Sequence, residues 1–236
     1  MSNYQPDTLG KAILEYHRHG NDTPIRVWID EKEEPLLYPS TFFLGDNELI
    51  ELEKTAISFC YGNVLDIGAG AGRHSLLLQN TGLKISAVEK SPLCCQVMRE
   101  TGVKQVIEND IMSFHGEHFD TLLLLMNGFG IAGTEVGLGS MISHLKTLLK
   151  PGGQIIGESS DIFYMRDPAK VKREIDLSRG YYGEVRFRLR YKDEQVEFPW
   201  IYADEYLLEA IASENGLKFE ILDRGPDYNY LCRLSL

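Results

Sequence analysis

Apolar and polar positions follow two alternating periods through the middle of the chain. Short apolar runs predict strands near residues 63–67, 84–89, 104–108, 119–126 and 153–159. Between them, apolar residues at helical spacing predict helices near 72–80, 92–101 and 136–149. Strands that alternate with helices indicate a parallel sheet with helices on both faces. The crossovers are expected to be right-handed. The carboxyl ends of parallel strands meet at one edge of the sheet, where ligands bind.

The pattern changes after the fifth predicted strand. Alternation over 182–191 and 195–202, around a polar turn at 192–194, predicts a hairpin inserted within 161–202. A helix over 203–215 and an antiparallel pair near 218–222 and 228–234 are expected to follow. We therefore expect one domain over 61–236, preceded by an N-terminal lid or cap segment over 1–60.

The first sixty residues show no sheet pattern of their own. They predict helices over 8–19 and 47–60, a short strand at 25–29 and an aromatic stretch broken by proline at 35–43.

A glycine run follows the strand near 63–67. It reads Asp66-x-Gly68-x-Gly70-x-Gly72, and glycines allow positive φ angles and close approach of a ligand to the backbone. A dinucleotide-binding turn would carry its third glycine where Arg73 stands, so the spacing argues against NAD or FAD. A carboxylate at Asp66 would also repel a pyrophosphate, whereas it would attract a cationic amino group.

This run resembles the first motif of the class I S-adenosylmethionine-dependent methyltransferases. The resemblance continues in order with Glu89 at the end of the next strand, Asp110 after the third, Asn127 after the fourth, and a Lys-Pro-Gly-Gly turn at 150–153. It is close over roughly residues 60–160. It implies an α/β fold with a Rossmann-like seven-stranded sheet, mostly parallel, whose last strand is antiparallel, and with helices on both faces.

The resemblance also implies S-adenosyl-L-methionine as cofactor and gives each acid a role. Asp66 would face the methionyl amino group, Glu89 would receive the ribose hydroxyls, and Asp110 would lie against the adenine amino group. Without the glycine motif, Glu89 and Asp110 would each be interpreted as solvated acids at strand ends. The cofactor-binding residues predicted in this way are Asp66, Gly68, Ala69, Gly70, Gly72, Glu89, Lys90, Asp110, Ile111 and Asn127.

Other side chains give weaker indications, and none is assigned a catalytic role. Aromatic residues of the N-terminal segment could contact the sulfonium or only pack in the lid, and several tyrosines could shape a pocket or activate a nucleophile. His74 is expected to cap or pack the helix after the glycines, and His144 to be solvated. The aromatic candidates are Tyr38, Phe42, Phe43, Tyr181, Tyr182, Tyr228 and Tyr230.

Composition excludes several kinds of partner. A formal net charge of −11 disfavours a nucleic-acid substrate, and the alternating cations over 186–192 are typical of a half-buried strand. The four cysteines lack metal-binding spacing, which predicts reduced thiols, no metal site and a cytoplasmic protein. The N-terminus lacks a signal sequence and the longest apolar run, 122–126, is too short to cross a membrane.

The resulting hypothesis is methyl transfer from S-adenosylmethionine to a small-molecule acceptor at oxygen, nitrogen or sulfur. Two alternatives remain open. One is a cofactor-binding regulatory or assembly subunit without turnover, and the other is a protein or RNA methyltransferase, which would need an open groove instead of a lidded pocket. The sequence assigns neither the acceptor nor the oligomeric state.

Overall fold

A computed structural model describes residues 6–165 and 180–236 of the chain. Its helices are α1 (Thr8–His19), α2 (Glu51–Phe59), α3 (Arg73–Asn80), α4 (Pro92–Thr101), α5 (Glu135–Thr147) and α6 (Glu205–Glu214). Its strands are β1 (Arg26–Ile29), β2 (Lys32–Glu33), β3 (Asn63–Ile67), β4 (Lys84–Glu89), β5 (Val106–Glu108), β6 (Phe119–Leu124), β7 (Leu149–Ser160), β8 (Glu184–Tyr191), β9 (Glu194–Ile201), β10 (Lys218–Arg224) and β11 (Asn229–Ser235). Parts of the predicted lid and of the segment containing the hairpin, residues 1–5 and 166–179, lie outside the described residues.

The main sheet has seven strands in the order β10-β11-β7-β6-β3-β4-β5. β4 pairs with β5, and β6 with β7, in parallel, whereas β11 is antiparallel to both of its neighbours. The predicted fold class, including the antiparallel last strand, is therefore confirmed. β3 and β4 have the predicted bounds, and β7 begins earlier than predicted because the Lys-Pro-Gly-Gly turn forms part of its first segment.

A second sheet, in the order β2-β1-β8-β9, was not predicted. The hairpin of β8 and β9 was expected, but β8 also pairs antiparallel with β1, where Val27 lies opposite Leu189. On this sheet the guanidinium groups of Arg26 and Arg188 lie 4.7 and 4.9 Å from the ring of Trp28. β1 confirms the short strand predicted at 25–29, whereas β2, with two residues, is too short to establish an alternating pattern in the sequence.

The predicted helix over 47–60 is shorter in the structure. A 3₁₀ turn covers Asp46–Glu48, and α2 begins only at Glu51. The reason is local: the Glu53 carboxylate accepts the N–H of Ile50 at 3.2 Å, which caps α2 at its first turn while Leu49 stays extended.

Contacts divide the chain into two compact units, each with its own core. The first comprises 1–49, 65–114 and 186–198, and its α1 is capped by Asp7, whose carboxylate accepts the N–H of Gly10. Ile13 of α1 packs in a buried cluster with Ala71, Cys94 and Val97.

The second unit comprises 50–64, 115–185 and 199–236. Its core is formed by fully buried residues of β6, β7 and β11, among them Leu123, Ile156 and Leu231. Phe129 is also fully buried and lies against Gly157, where an added Cβ would come within 2.3 Å of its ring. Among the described residues, no helix is both long and apolar enough to cross a bilayer.

Candidate functional site

The glycine turn between β3 and α3 uses its three glycines in different ways. Gly68, Gly70 and Gly72 have φ angles of +68°, +56° and +82°, a region that favours glycine. A Cβ on buried Gly72 would lie 2.7 Å from Met98 and 2.9 Å from Val103, so Gly72 is required by packing. A Cβ on Gly70 would meet only Phe42, at 3.7 Å. Gly70 therefore leaves a free backbone face that a ligand can approach.

Glu89, at the end of β4, is held directly against this turn. Its Oε2 accepts the N–H of Gly70 at 3.1 Å, and its Oε1 accepts the N–H of Ser91 at 2.8 Å. Each oxygen keeps a further lone pair for a hydroxyl donor. Burial raises the pKa of Glu89, although the two backbone hydrogen bonds oppose this effect. The structure thus brings Glu89 and the glycine turn together, as the motif spacing predicts.

Asp66, near the end of β3, is 2% exposed. Its Oδ2 accepts the hydroxyl of Ser75 at 2.6 Å, and its hydrogen-bond partners among the described residues lie in α3. Burial raises the pKa of Asp66, whereas nearby His74 and the hydrogen bonds from Ser75 lower it. His74 is itself buried and accepts a hydrogen bond from Arg73 at 3.2 Å, which agrees with a packing role.

The raised pKa values of Asp66 and Glu89 make the ionised carboxylates a cost to folding. For an acid whose pKa is higher in the folded chain, the folded state binds more protons, so stability falls as pH rises from the ordinary value towards the folded one. The ordinary values are 3.8 for Asp66 and 4.5 for Glu89. A cation or hydroxyl donors bound at the turn would stabilise the ionised forms of both acids.

Asp110 and its neighbours lie beyond β5. The side chain of Asp110 is exposed and caps the 3₁₀ helix Ile111–Ser113 by accepting the N–H of Met112 at 2.8 Å. Ile111 is buried, and Lys90 is exposed beside Glu89. The capping contact accounts for Asp110 structurally, and its role towards adenine stays a prediction.

In the second unit, the end of β6 forms a strained turn. Met126 and Asn127 both have positive φ angles, +55° and +56°, which is uncommon for residues other than glycine. The turn is held by β7: Glu158 accepts the N–H of Met126 at 2.9 Å, and Ser160 donates to Oδ1 of Asn127 at 2.7 Å. The side-chain carbonyl of Asn127 thus already accepts a hydrogen bond, and its side-chain NH₂ is the group that can donate to a ligand. Sequence reasoning found Asn127 but missed Glu158 and Ser160.

The candidate tyrosines lie in different surroundings in the structure. Tyr181 and Tyr182 lie together, with ring centroids 4.6 Å apart. Tyr230 is buried and donates to the carbonyl of Ala203 at 2.8 Å, while Tyr228 is 63% exposed. Tyr181 and Tyr182 are therefore the pair with a shared polar environment.

The aromatic lid candidates also differ in their contacts and exposure. Phe42 is the one that lies over Gly70, and Phe43 packs against Tyr16 with centroids 5.0 Å apart. Tyr38 is 43% exposed. Arg73 donates to the carbonyl of Thr41 at 2.8 Å, so the residue that replaces a third glycine holds this segment on the turn.

Two further findings concern a cavity and the side chains that could bind a metal. A cavity of about 160 Å³ beside Phe42, Phe43 and Arg73 is lined by neither Asp66 nor Glu89. Within residues 6–165 and 180–236, no group of three or more histidine, cysteine or acidic side chains could hold a metal ion.

Comparisons with known proteins agree with the geometry. No protein-family model and no curated protein matches the chain. The structure of an S-adenosylmethionine-dependent methyltransferase from Bacteroides fragilis, in complex with S-adenosyl-L-homocysteine, matches with a TM-score of 0.88 and 36% identity, covering 98% of this chain and 94% of that one.

More distant structures share the fold. CalS10, an amino pentose methyltransferase from Micromonospora echinaspora bound to S-adenosylmethionine, has a TM-score of 0.52 at 16% identity, covering 78% of this chain and 87% of that one. KedS8, a sugar N-methyltransferase from a Streptoalloteichus species, has a TM-score of 0.56 at 14% identity over 83% and 91%. Because the Bacteroides fragilis protein matches nearly end to end at 36% identity, the chain belongs to the S-adenosylmethionine-dependent methyltransferases, enzymes whose cofactor is S-adenosyl-L-methionine.

Proposed function

We propose that this enzyme transfers the methyl group of S-adenosylmethionine to a small-molecule acceptor. The observation that carries the proposal is the chemistry at the carboxyl ends of β6 and β7. Asn127, Ser160 and Asp161 lie there with Tyr182 and Asp204. Among the described residues, neither aspartate forms an ion pair with a lysine or arginine. With a net charge of −11, this lining suits a neutral or cationic small molecule better than a phosphate backbone.

The geometry of the glycine turn supports binding of the cofactor there. Gly70 leaves its backbone face open, Glu89 keeps lone pairs for the two ribose hydroxyls, and desolvated Asp66 would attract the methionyl ammonium. Gly68 and Ala69 would line the same approach, and Gly72 would keep α3 in place. Lys90, Asp110 and Ile111 are proposed for the adenosine end, and Asn127 for the end nearest the acceptor.

When bound, the cofactor supplies an electrophilic methyl group on a sulfonium, which is already a good leaving group. The protein then needs to align the acceptor, exclude water and remove a proton where the acceptor carries one. We propose that residues 1–60 act as a lid, because Arg73 fastens the 39–43 segment to the glycine turn and places Phe42 over Gly70. Residues 161–202 are proposed to complete the acceptor pocket.

The test combines binding and turnover. Calorimetric titration should detect one S-adenosylhomocysteine per chain, and Asp66→Ala and Glu89→Ala should each weaken it. Incubation with radiolabelled S-adenosylmethionine should then label members of a metabolite panel but not total protein or RNA. Binding without any transfer would instead support a cofactor-binding subunit, and labelled protein or RNA would support a macromolecular substrate. Absence of binding would overturn the cofactor assignment itself.

A further inference from the structure

Two tyrosines and two aspartates form a compact network in the second unit. The hydroxyl oxygen of Tyr182 lies 2.8 Å from Oδ1 of Asp161 and 2.7 Å from Oδ2 of Asp204. The hydroxyl of Tyr181 lies 2.8 Å from the same Oδ2 of Asp204 and accepts the N–H of Asp204 at 2.8 Å. These four residues, Asp161, Tyr181, Tyr182 and Asp204, are called the tyrosine–aspartate network below.

The network adjoins the turn that carries Asn127. Asp161 directly follows Ser160, the last residue of β7, which donates to Asn127. Oδ1 of Asp161 is fixed by two donors, the Tyr182 hydroxyl and the N–H of Phe163, both at 2.8 Å. Oδ2 has no partner among the residues that the structure describes. Asp161 thus has one oxygen held in place and the other available to a ligand.

The network holds fewer protons than contacts. Oxygen atoms lie 2.7 to 2.8 Å apart from Tyr181 to Asp204 and from Tyr182 to both aspartates, and the two phenols also hydrogen-bond each other. Each such contact needs a proton between its oxygens, and each phenol supplies one. Burial raises the pKa of Tyr181 and of Tyr182, so both keep their protons at neutral pH. The network is therefore poor in protons, and a proton taken up by Asp161 would lower its concentration of negative charge.

We propose that Asp161 is the proton acceptor of the methyl-transfer reaction, held in place by Tyr182 and Asp204, and that the methyl acceptor carries a proton on nitrogen or oxygen. The proposal rests on the proposed small-molecule function. The proton of the acceptor passes to Oδ2 of Asp161, and the lone pair that it leaves forms the new bond to the methyl carbon. The bond from that carbon to sulfur breaks, its electron pair stays on sulfur, and S-adenosylhomocysteine is released.

The charge of the network selects among acceptors. Two carboxylates without a cationic partner among the described residues attract an ammonium group and tolerate a neutral hydroxyl. They repel a thiolate, the form in which a thiol acts as a nucleophile. Amines and alcohols are therefore expected as substrates, and thiols are not.

The test uses Asp161→Asn, whose carboxamide is close in shape to the carboxylate. Its carbonyl oxygen can still accept from Tyr182 and from the N–H of Phe163, and the variant removes one negative charge from the network, so the melting temperature at pH 8 should equal or exceed that of the wild type. Affinity for S-adenosylhomocysteine should stay unchanged. The rate of methyl transfer to an amine or alcohol found in the panel should fall by about a hundredfold or more, the usual contribution of a general base.

The pH dependence separates a chemical from a structural role. In Asp161→Asn the loss should shrink as pH rises, because the acceptor then loses its proton to water, whereas the wild-type rate should level off at lower pH. Tyr182→Phe, which removes the group that fixes Oδ1, should reduce the maximal rate less and should keep the wild-type change of rate with pH. Asp193→Asn, at an exposed site in the β8–β9 turn, is the matched control and should behave as the wild type.

Each outcome decides the proposal. A wild-type rate and pH profile in Asp161→Asn, or labelling of thiols alone, would overturn it while leaving small-molecule methylation in place. A melting temperature of Asp161→Asn several degrees below the wild type would show a structural role for the Asp161 carboxylate and contradict the proposal. Binding of S-adenosylhomocysteine without any labelled metabolite would overturn the proposed function and this inference with it.

Discussion

Replacing Gly70 and Gly72 by alanine separately tests whether the two glycines have different tasks. Both have positive φ angles, +56° and +82°, so each alanine should cost roughly 1–2 kcal/mol of backbone strain. At Gly72 the new methyl group would also press on Met98 and Val103 at 2.7 and 2.9 Å, and overpacking adds roughly 1–3 kcal/mol. The sums are about 1–2 kcal/mol for Gly70→Ala and about 2–5 kcal/mol for Gly72→Ala.

For a chain of this length, 1 kcal/mol corresponds to about 2–4 °C in Tm, so Gly70→Ala should lower Tm by about 2–8 °C and Gly72→Ala by about 4–20 °C. The loss of affinity for S-adenosylhomocysteine should be larger for Gly70→Ala than for Gly72→Ala. The methyl group of Gly70→Ala would occupy the open backbone face, so affinity for S-adenosylhomocysteine should fall at least about tenfold. Gly72→Ala, measured well below its Tm, should bind nearly as the wild type does.

Differential scanning calorimetry and isothermal titration calorimetry measure the two effects on the same samples. The reasoning would be refuted if Gly70→Ala bound S-adenosylhomocysteine as tightly as the wild type. It would also be refuted if Gly72→Ala lost affinity more strongly than Gly70→Ala while keeping its stability.

Three other predictions concern burial and the lid. Asp66→Asn should raise Tm relative to the wild type, and increasingly so as pH rises above 4, because the buried carboxylate with its raised pKa no longer has to ionise; thermal unfolding at a series of pH values would show this. Arg73→Met should increase amide hydrogen exchange over residues 39–43, because the donor to the carbonyl of Thr41 is lost, whereas Arg99→Met should leave that exchange unchanged. Of the four thiols, Ellman's reagent should modify only half-buried Cys60 in the folded chain, since burial raises the pKa of the other three; rapid modification of more than one would contradict this burial.

The parts of the fold predicted from sequence depend on local signals. β3 and β4 are apolar runs with an acid at or next to the last residue, and the structure gives them the predicted bounds. Glu89 could be placed against the glycine turn because parallel strands that are adjacent in the sheet end at the same edge. The seven-stranded order then followed from the resemblance to a known family.

The missed features depend on contacts between distant segments. β1 was predicted as a short strand, but its pairing with the hairpin was not. β2 has two residues, too few to show a period, and it pairs with β1. Glu158 and Ser160 are polar residues near the end of β7, and they were the available signal in the sequence. Their partners Met126 and Asn127 are set by the pairing of β6 with β7. Sequence spacing likewise placed Asp66 at a strand end without revealing that it is buried against α3.

Titration of S-adenosylhomocysteine into the wild type, Glu89→Gln and Glu108→Gln tests the central claim most directly. Glu89 and Glu108 lie opposite each other at the ends of paired β4 and β5, but only Glu89 accepts the N–H of Gly70. The account predicts binding to the wild type, unchanged affinity in Glu108→Gln, and a loss of about tenfold or more in Glu89→Gln, since a carboxylate accepts hydroxyl hydrogen bonds more strongly than an amide does. Equal affinity in all three proteins would contradict it.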